Sequence, residues 1–293
     1  MTIREALDHS TKRLQASGVP EASVDSEWLL AHVSGLKRLE LSLHTRQTLS
    51  SEMCLRYLEL VERRAKREPL QHLLGTVPFL EYELEVSPAA LIPRPETEML
   101  AERVIDRIRR LPRQQALRGL DLGTGTGCLP IAITATLEGV CMTALDVSPD
   151  ALQLARRNIE SHGLSDRIEL RESDGFAQLD GGVEFDFLVS NPPYIPKSEL
   201  ADLQDEVRRF DPHLALDGGV DGLDFYRLIA SEAGRFLKSG AFLLLEFGEG
   251  QAESIQAIFQ ENAWPRGVCI SDLCGKERFL EFTYTKPVVG ARS

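Results

Sequence analysis

Residues 191–194, Asn-Pro-Pro-Tyr, place a side-chain amide, two rigid imides and an aromatic ring where an apolar run ends. The Asn191 side-chain carbonyl and the Pro192 backbone carbonyl can accept the two N–H bonds of a planar amino group. Such bonds would hold a poorly nucleophilic nitrogen in place and stabilise the positive charge that develops when it is alkylated. Pro193 adds rigidity, and Tyr194 offers a flat face to a planar amide or base. Asn-Pro-Pro-Tyr is also a common turn sequence, so other residues must show whether it is a turn or part of a binding site.

A glycine-rich loop lies between an apolar strand-like run and an apolar helix-like run. Glycine tolerates positive φ and lets a ligand approach the backbone closely. The spacing is G-x-G-x-G and not the G-x-G-x-x-G of dinucleotide sites, and no Lys-Ser/Thr follows as in a phosphate-binding loop. The loop consists of Gly123, Thr124, Gly125, Thr126 and Gly127.

Three aspartates follow the ends of predicted strands around this loop. Asp121 precedes the loop and can anchor its backbone or approach an amino group. Asp146 ends the next strand and can accept the hydroxyls of a ribose, and Asp174 ends the third and can face the amine of an adenine. The set describes a nucleoside site without a pyrophosphate, which fits S-adenosylmethionine (SAM) better than NAD. The cationic sulfonium of SAM also suits an acidic loop. The alternative is that the aspartates are only turn residues at strand ends.

The elements that must position these groups alternate between strands and helices from about residue 118 onward, which predicts a mostly parallel sheet covered on both faces. The last two strands are expected to close the edge of the sheet as a hairpin. The predicted strands are GLDLG (119–123), VCMTALDVS (140–148), RIELRES (167–173), FDFLVSN (185–191), GAFLLLEFG (240–248), VCISDL (268–273) and RFLEFTYT (278–285).

The chain before this sheet divides into two further parts. Residues 1–75 show the 3.6-residue periodicity of helices, with Ser50 or Ser51 as an N-cap candidate, whereas residues 76–92 alternate as in a hairpin. We therefore expect a small helical domain (1–75), a hairpin linker (76–92) and a larger α/β domain (93–293).

Two local features of these regions also allow predictions. The prolines of IPRPETE, or Thr97, are expected to start a helix, and Ser148 with Pro149 is expected to start another. The charged run ERRAKRE (62–68) is interpreted as a solvated helix end rather than a binding patch.

Composition narrows the functional class. The formal net charge is −12 and the pI about 5.1, which disfavours a nucleic-acid substrate because such proteins usually carry a basic surface. No apolar run approaches a membrane span, and the N-terminus lacks an apolar signal region, so we expect a cytoplasmic protein. Five scattered cysteines without a C-x-x-C pair favour free thiols and no metal site.

Six segments, in order along the chain, resemble the bacterial release-factor glutamine methyltransferases, the PrmC/HemK family. The resemblance covers roughly residues 1–285, and PRPETE joined to an N-terminal helical domain is its most specific part. The segments are EPLQHLLG (68–75), LIPRPETE (91–98), LDLGTGTG (120–127), SNPPYIP (190–196), DPHLALDGGVDGLDFYRLI (211–229) and LLLEFGEGQ (243–251).

This resemblance implies a Rossmann-like SAM-dependent methyltransferase fold, with a seven-stranded mostly parallel sheet whose last strand is antiparallel. It implies methyl transfer from SAM, leaving S-adenosylhomocysteine, to the side-chain nitrogen of the Gly-Gly-Gln glutamine in class 1 peptide release factors, which the helical domain would bind. The implied SAM residues are Asp121, the five residues of the glycine loop, Asp146, Asp174, Gly175 and Asn191. The implied substrate residues are Asn191, Pro192, Pro193 and Tyr194, with Asn191, Pro192 and Tyr194 acting in catalysis.

Two positions depart from the family pattern. Gly175 stands where some members have an aromatic residue beside the adenine, so Phe176 or another contact is expected to substitute. Phe247 replaces a histidine common in the LEHG stretch, which argues against a catalytic role there. Leu91 and Ile92 are candidates for an apolar wall near the glutamine.

Two other functions compete with this one. A DNA adenine or rRNA guanine methyltransferase can use the same Asn-Pro-Pro-Tyr chemistry, but it would be expected to have a basic cleft and an extra nucleic-acid module. A module that binds SAM or a translation factor without turnover would be expected to have a damaged Asn191 or glycine loop, and both are intact.

Overall fold

The computed structural model describes residues 1–112 and 116–286. The chain forms two compact units. The first comprises Met1–Val77 and Gln204–Phe210, and the second comprises Pro78–Leu203 and the chain from Asp211 onward. The short segment 204–210 therefore belongs to the first unit although it lies far along the sequence.

The first unit is helical. Thr2 caps its first helix by accepting a hydrogen bond from the Glu5 N–H, and Ser50 caps the third by accepting from Met53, as predicted. Its apolar core surrounds Tyr57, whose hydroxyl donates to the backbone oxygen of Ser26 over 3.1 Å. The helices are α1 (Ile3–Ala16), α2 (Ala22–Ser34), α3 (Ser51–Ala65), α4 (Leu70–Leu74) and α8 (Asp205–Phe210), with a 3₁₀ helix at Arg38–Leu43.

One prediction about this unit was wrong. The charged run at the end of α3 is not uniformly solvated, because Arg64 is only 6% exposed. Its guanidinium contacts Asp25 of α2 at 2.7 Å and Glu206 of α8 at 3.0 Å. A buried cation needs such partners, since an isolated charge away from water is costly.

The second unit contains the predicted sheet of seven strands, in the order β5-β4-β3-β6-β7-β9-β8. The first five are parallel, and β9 runs antiparallel to both β7 and β8, which confirms the expected antiparallel last strand. The strands are β3 (Leu117–Leu122), β4 (Val140–Asp146), β5 (Ile168–Glu172), β6 (Phe185–Ser190), β7 (Leu237–Glu246), β8 (Val268–Ser271) and β9 (Glu277–Thr283), and a separate two-stranded sheet consists of β1 (Thr76–Phe79) and β2 (Tyr82–Glu85).

Helices connect these strands. Pro95 occupies the first helical position of α5, and Arg94 precedes it without a side-chain cap, so Thr97 does not cap this helix. Ser148 caps α7 and Pro149 follows it, as predicted. The helices are α5 (Pro95–Arg109), α6 (Cys128–Thr136), α7 (Pro149–Ser161), α9 (Asp224–Glu232) and α10 (Ala252–Glu261).

Candidate active site

A cavity of about 340 Å³ opens in the second unit where the strands β3, β4, β5 and β6 end. The sheet order reverses between β3 and β6, because β4 follows on one side of β3 and β6 lies on the other. Open α/β sheets bind their ligands at such a switch point, outside the carboxyl ends of the strands. The cavity wall includes Leu91, Gly123, Thr124, Gly125, Thr126, Asp146, Asp174, Gly175, Asn191 and Pro193.

The glycine loop is held in place by the end of β4. The Gly125 N–H donates to Asp146 Oδ2 over 2.9 Å, and the Ser148 N–H donates to Asp146 Oδ1 over 2.9 Å. Gly125 has a φ of 54°, in the left-handed region that favours glycine. Burial raises the pKa of the Asp146 carboxyl, and the backbone N–H bonds oppose that rise. Each carboxylate oxygen retains a lone pair that can accept from a ligand hydroxyl.

Asp121 lies behind the loop and not on the cavity wall. Its side chain is fully buried, and neither carboxylate oxygen has a hydrogen-bond partner among the described residues. Burial raises the pKa of this carboxyl to about 7; Thr124 opposes the rise, although its hydroxyl does not reach hydrogen-bond geometry. An unpartnered buried carboxyl beside a glycine loop is the kind of group that a cationic ligand would satisfy.

The strand β5 ends at the cavity, where the sequence predicted a contact with an adenine. Asp174 is exposed at the cavity rim, and Gly175 follows with a φ of 56°. A Cβ at Gly175 would lie 2.7 Å from Leu228 Cδ2, so a side chain there would require that methyl group to move. Phe176 does not replace the missing aromatic residue, because its ring is buried and stacks on Phe236 at 5.6 Å.

The Asn-Pro-Pro-Tyr corner follows β6 directly, and only part of it faces the cavity. Asn191 and Pro193 lie on the wall, whereas Pro192 is buried away from it. The Tyr194 ring packs against the hydrophobic core, and burial raises the pKa of its hydroxyl to about 12. The backbone oxygen of Tyr194 accepts a hydrogen bond from Gln251 Nε2 over 2.9 Å, which holds the corner from the α10 side.

Three further positions that the sequence singled out lie off the cavity wall. Gly127 is the N-cap residue of α6 and has a φ of 81°. Phe247 is fully buried in the core, and Ile92 is only 3% exposed. Of the two apolar candidates before PRPETE, only Leu91 lines the cavity.

The structure adds two residues that sequence reasoning missed. Asn191 Nδ2 donates to Thr97 Oγ1 over 2.9 Å, and Thr97 Oγ1 donates to Glu246 Oε2 over 2.9 Å. Burial raises the pKa of the Glu246 carboxyl to about 7, while the Thr97 hydrogen bond opposes that rise. Both residues stand in segments that carry the family resemblance, PRPETE and LLLEFG, which was the only sequence signal for them.

The comparison with known proteins agrees with this architecture. A family model described as the PrmC N-terminal domain matches residues 5–75, and one described as the Methyltransferase small domain matches residues 102–210. The release factor glutamine methyltransferase of Geobacter sulfurreducens is 43% identical over 263 residues, which cover 90% of this chain and 90% of that protein. The one of Deinococcus radiodurans is 40% identical over 280 residues, which cover 96% of this chain and 98% of that protein.

Among solved structures, the catalytic domain of hMettl16 in complex with a MAT2A 3′UTR hairpin is similar with a TM-score of 0.58, covering 87% of this chain and 93% of that chain. Its sequence identity is 17%, so the likeness concerns the fold alone. The sheet order and the switch-point cavity, with the matching domain model, define a Rossmann-like methyltransferase. The chain belongs to the release factor glutamine methyltransferase family, which confirms the resemblance seen in its motifs.

Proposed function

We propose that this protein transfers a methyl group from SAM to the side-chain amide nitrogen of the Gly-Gly-Gln glutamine in class 1 peptide chain release factors. The observation that carries the proposal is the Asn191 amide at the cavity wall. Its NH₂ group is occupied by Thr97, so its carbonyl oxygen is left to accept from a planar amino group. The names of the two relatives support a glutamine in a release factor as the source of that group.

The residues around the cavity fit SAM. Asp146 retains acceptor capacity for a ribose, and Asp174 is exposed at the rim for an adenine amine. Asp121, behind the glycine loop, adds a buried carboxyl without a hydrogen-bond partner among the described residues. At Gly123 the glycine loop presents bare backbone to the cavity, and the space beside it is open, since nothing lies within 4 Å of a Cβ built there. When bound, SAM supplies an electrophilic methyl group on a cationic sulfur.

The residues of the corner would then orient and stabilise the substrate nitrogen. Asn191 Oδ1 and the Pro192 carbonyl would accept its two N–H bonds, which raises its electron density and offsets the positive charge that develops on it. The nitrogen would form a bond to the methyl carbon as the bond from that carbon to sulfur breaks, which leaves S-adenosylhomocysteine, and the proton lost from the nitrogen would pass to water. Positioning supplies much of the acceleration, so this scheme uses no side-chain general base.

The helical first unit is proposed to bind the release factor. Support comes from the match of residues 5–75 to the PrmC N-terminal domain. It also comes from the acidic balance of the chain, with a net charge of −12, which suits a protein partner better than a nucleic acid.

The experiment combines the purified chain, SAM and a purified class 1 release factor. Mass spectrometry of the release-factor peptides should show one added methyl group on the glutamine of the Gly-Gly-Gln motif. A release factor in which this glutamine is replaced serves as the control. Labelling of DNA or rRNA with radioactive SAM, with no methyl group on the glutamine, would show that the protein is instead a nucleobase methyltransferase.

A further inference from the structure

A buried chain of hydrogen bonds joins three elements behind the Asn-Pro-Pro-Tyr corner. Asn191 follows β6, Thr97 lies in the first turn of α5, and Glu246 ends β7. Thr97 is 3% exposed and Glu246 is 2% exposed. The two hydrogen bonds, Asn191 to Thr97 and Thr97 to Glu246, are each 2.9 Å long.

We propose that Glu246, acting through Thr97, is a positioning residue that fixes the orientation of the Asn191 amide so that its oxygen faces the substrate nitrogen. The proposal rests on the proposed methyl transfer to an amide nitrogen.

The carboxylate of Glu246 sets the donor-to-acceptor direction of these two hydrogen bonds. An ionised carboxylate can only accept hydrogen bonds, so the single hydroxyl proton of Thr97 must point to Glu246. The Thr97 oxygen is then an acceptor toward Asn191, and it selects the NH₂ side of the amide. Without this directing hydrogen bond, the oxygen and the NH₂ group of the Asn191 amide are nearly equal in shape, and rotating the amide by 180° would cost little.

The orientation of the Asn191 amide matters because its oxygen accepts hydrogen bonds, whereas its NH₂ group donates them. The substrate nitrogen carries N–H donors, which an Asn191 oxygen can accept. A rotated Asn191 would present its own NH₂ group instead, and two donors facing each other lose the hydrogen bond and place like partial charges together. The rotated form would still fill the corner, but it would no longer stabilise charge on the nitrogen.

The surroundings of Glu246 bring its titration near neutral pH. Burial raises the pKa of this carboxyl to about 7; Glu96 on α5 adds to the rise and Arg278 on β9 opposes it. The hydroxyl of Tyr226 on α9 donates to the Glu246 backbone oxygen over 2.8 Å and not to the carboxylate, and the Asn191 side chain, like Thr97, opposes the rise in the pKa of that carboxyl. Once protonated, the Glu246 carboxyl becomes a donor itself and no longer dictates the direction of the Thr97 hydroxyl.

The first test compares Thr97→Val with Thr97→Ser, using single-turnover methylation of the release factor and calorimetry for SAM. Thr97→Val should lower kcat by about 10- to 100-fold, the range found where groups that orient reacting ligands are removed. Thr97 lines the cavity, but valine has nearly the same shape, so the SAM Kd should change by much less than kcat. Thr97→Ser restores the hydroxyl and should recover most of the lost kcat.

A matched control is Thr134→Val. Thr134 is also fully buried, lies in α6 away from the cavity wall, and has no hydrogen-bond partner for its hydroxyl among the described residues. The Thr134→Val enzyme should have the kcat of the wild type. A Thr97→Val enzyme with wild-type kcat, or with kcat and SAM affinity reduced in parallel, would overturn the proposal, because the second result describes a merely structural residue.

The second test is Glu246→Gln, which keeps the shape but removes the obligate acceptor. The kcat of the wild type should fall as pH drops through about 7, whereas Glu246→Gln should have a lower kcat above that pH and should lose the part of the inflection that Glu246 causes, leaving any part due to Asp121, whose pKa is also raised to about 7. A Glu246→Gln enzyme with wild-type kcat and an unchanged inflection would overturn the proposal. A wild-type enzyme that leaves the release factor unmethylated would instead overturn the proposed function, so the two failures are distinguishable.

Discussion

Asn191 and Asp146 lie on the same cavity wall, but their hydrogen bonds give them different tasks. Asn191 donates its amide hydrogen to Thr97, which leaves the amide oxygen free for the proposed substrate. Asp146 holds the Gly125 N–H and has acceptor capacity left for the proposed ribose. At the scale of single residues, substrate activation and cofactor binding should therefore be separable.

Replacing each residue by alanine should separate these tasks. Asn191→Ala should lower kcat by about 100-fold or more, as when one donor of an oxyanion hole is lost. Its SAM Kd should change only a few-fold. Asp146→Ala should raise the SAM Kd by about 10- to 100-fold, because hydrogen bonds to a charged group are lost.

Calorimetry with SAM and single-turnover methylation of the release factor measure the two quantities. If Asn191→Ala weakened SAM binding as much as it lowered kcat, Asn191 would be mainly a cofactor residue.

At the scale of elements, the pairing of β3 with β6 positions the glycine loop beside the corner. Gly119 of β3 lies opposite Phe187 of β6 in the parallel register. A Cβ at Gly119 would come closer than 3.0 Å to three carbons of the Phe187 ring. That ring is fully buried and stacks on Phe242 at 5.3 Å, so any movement of it would disturb this contact. Glycine is therefore required here for packing and not for a turn.

Gly119→Ala should destabilise the second unit by about 1–3 kcal/mol, the usual cost of overpacking a core. Gly139→Ala is the matched control, since nothing lies within 4 Å of its Cβ. Its effect should stay within about 0.5 kcal/mol, as for most surface substitutions. Urea unfolding followed by fluorescence compares the two variants. Equal midpoints for both would show that Phe187 can adjust.

At the scale of the whole molecule, the chain builds its first unit from two distant stretches. Helix α8 belongs to this unit, although residues 78–203 come between it and the N-terminal helices. Arg64 bridges α2 and α8 through Asp25 and Glu206, and both partners are largely buried. A buried carboxylate left without its cation is strongly destabilising.

Arg64→Ala should therefore lower the stability of the first unit by about 3–5 kcal/mol. Arg63→Ala is the control, because Arg63 pairs with Glu68 while its side chain is 44% exposed. Its cost should be about 1 kcal/mol or less.

Native-state hydrogen exchange can locate the effect of Arg64→Ala. Faster exchange should be confined to residues 1–77 and 204–210. Similar protection in the Arg64→Ala and Arg63→Ala proteins would mean that the buried ion pairs add no stability to this unit.

Much of the fold and of the candidate site could be predicted from the sequence, because the helix caps, loops and strand ends depend on residues that are close together along the chain. Ser50 and Ser148 cap helices, the glycine loop follows a strand, and the Asn191 corner ends one. Each depends on neighbouring residues and on the rule that parallel strands end at one edge of the sheet. The mostly parallel sheet followed from the alternation of strands and helices, and its antiparallel last strand followed from the family resemblance, whereas the order of the strands came from the structure.

Tertiary structure alone decided which side chains meet. Thr97 and Glu246 are 149 positions apart, and Thr97 and Asn191 are 94 apart, so no periodicity could connect them. The burial of Arg64 likewise required α8 to lie against α3. The sequence determined the kinds of groups at the strand ends, whereas the fold determined which way the Asn191 amide faces, because a hydrogen-bond direction depends on partners brought together only in three dimensions.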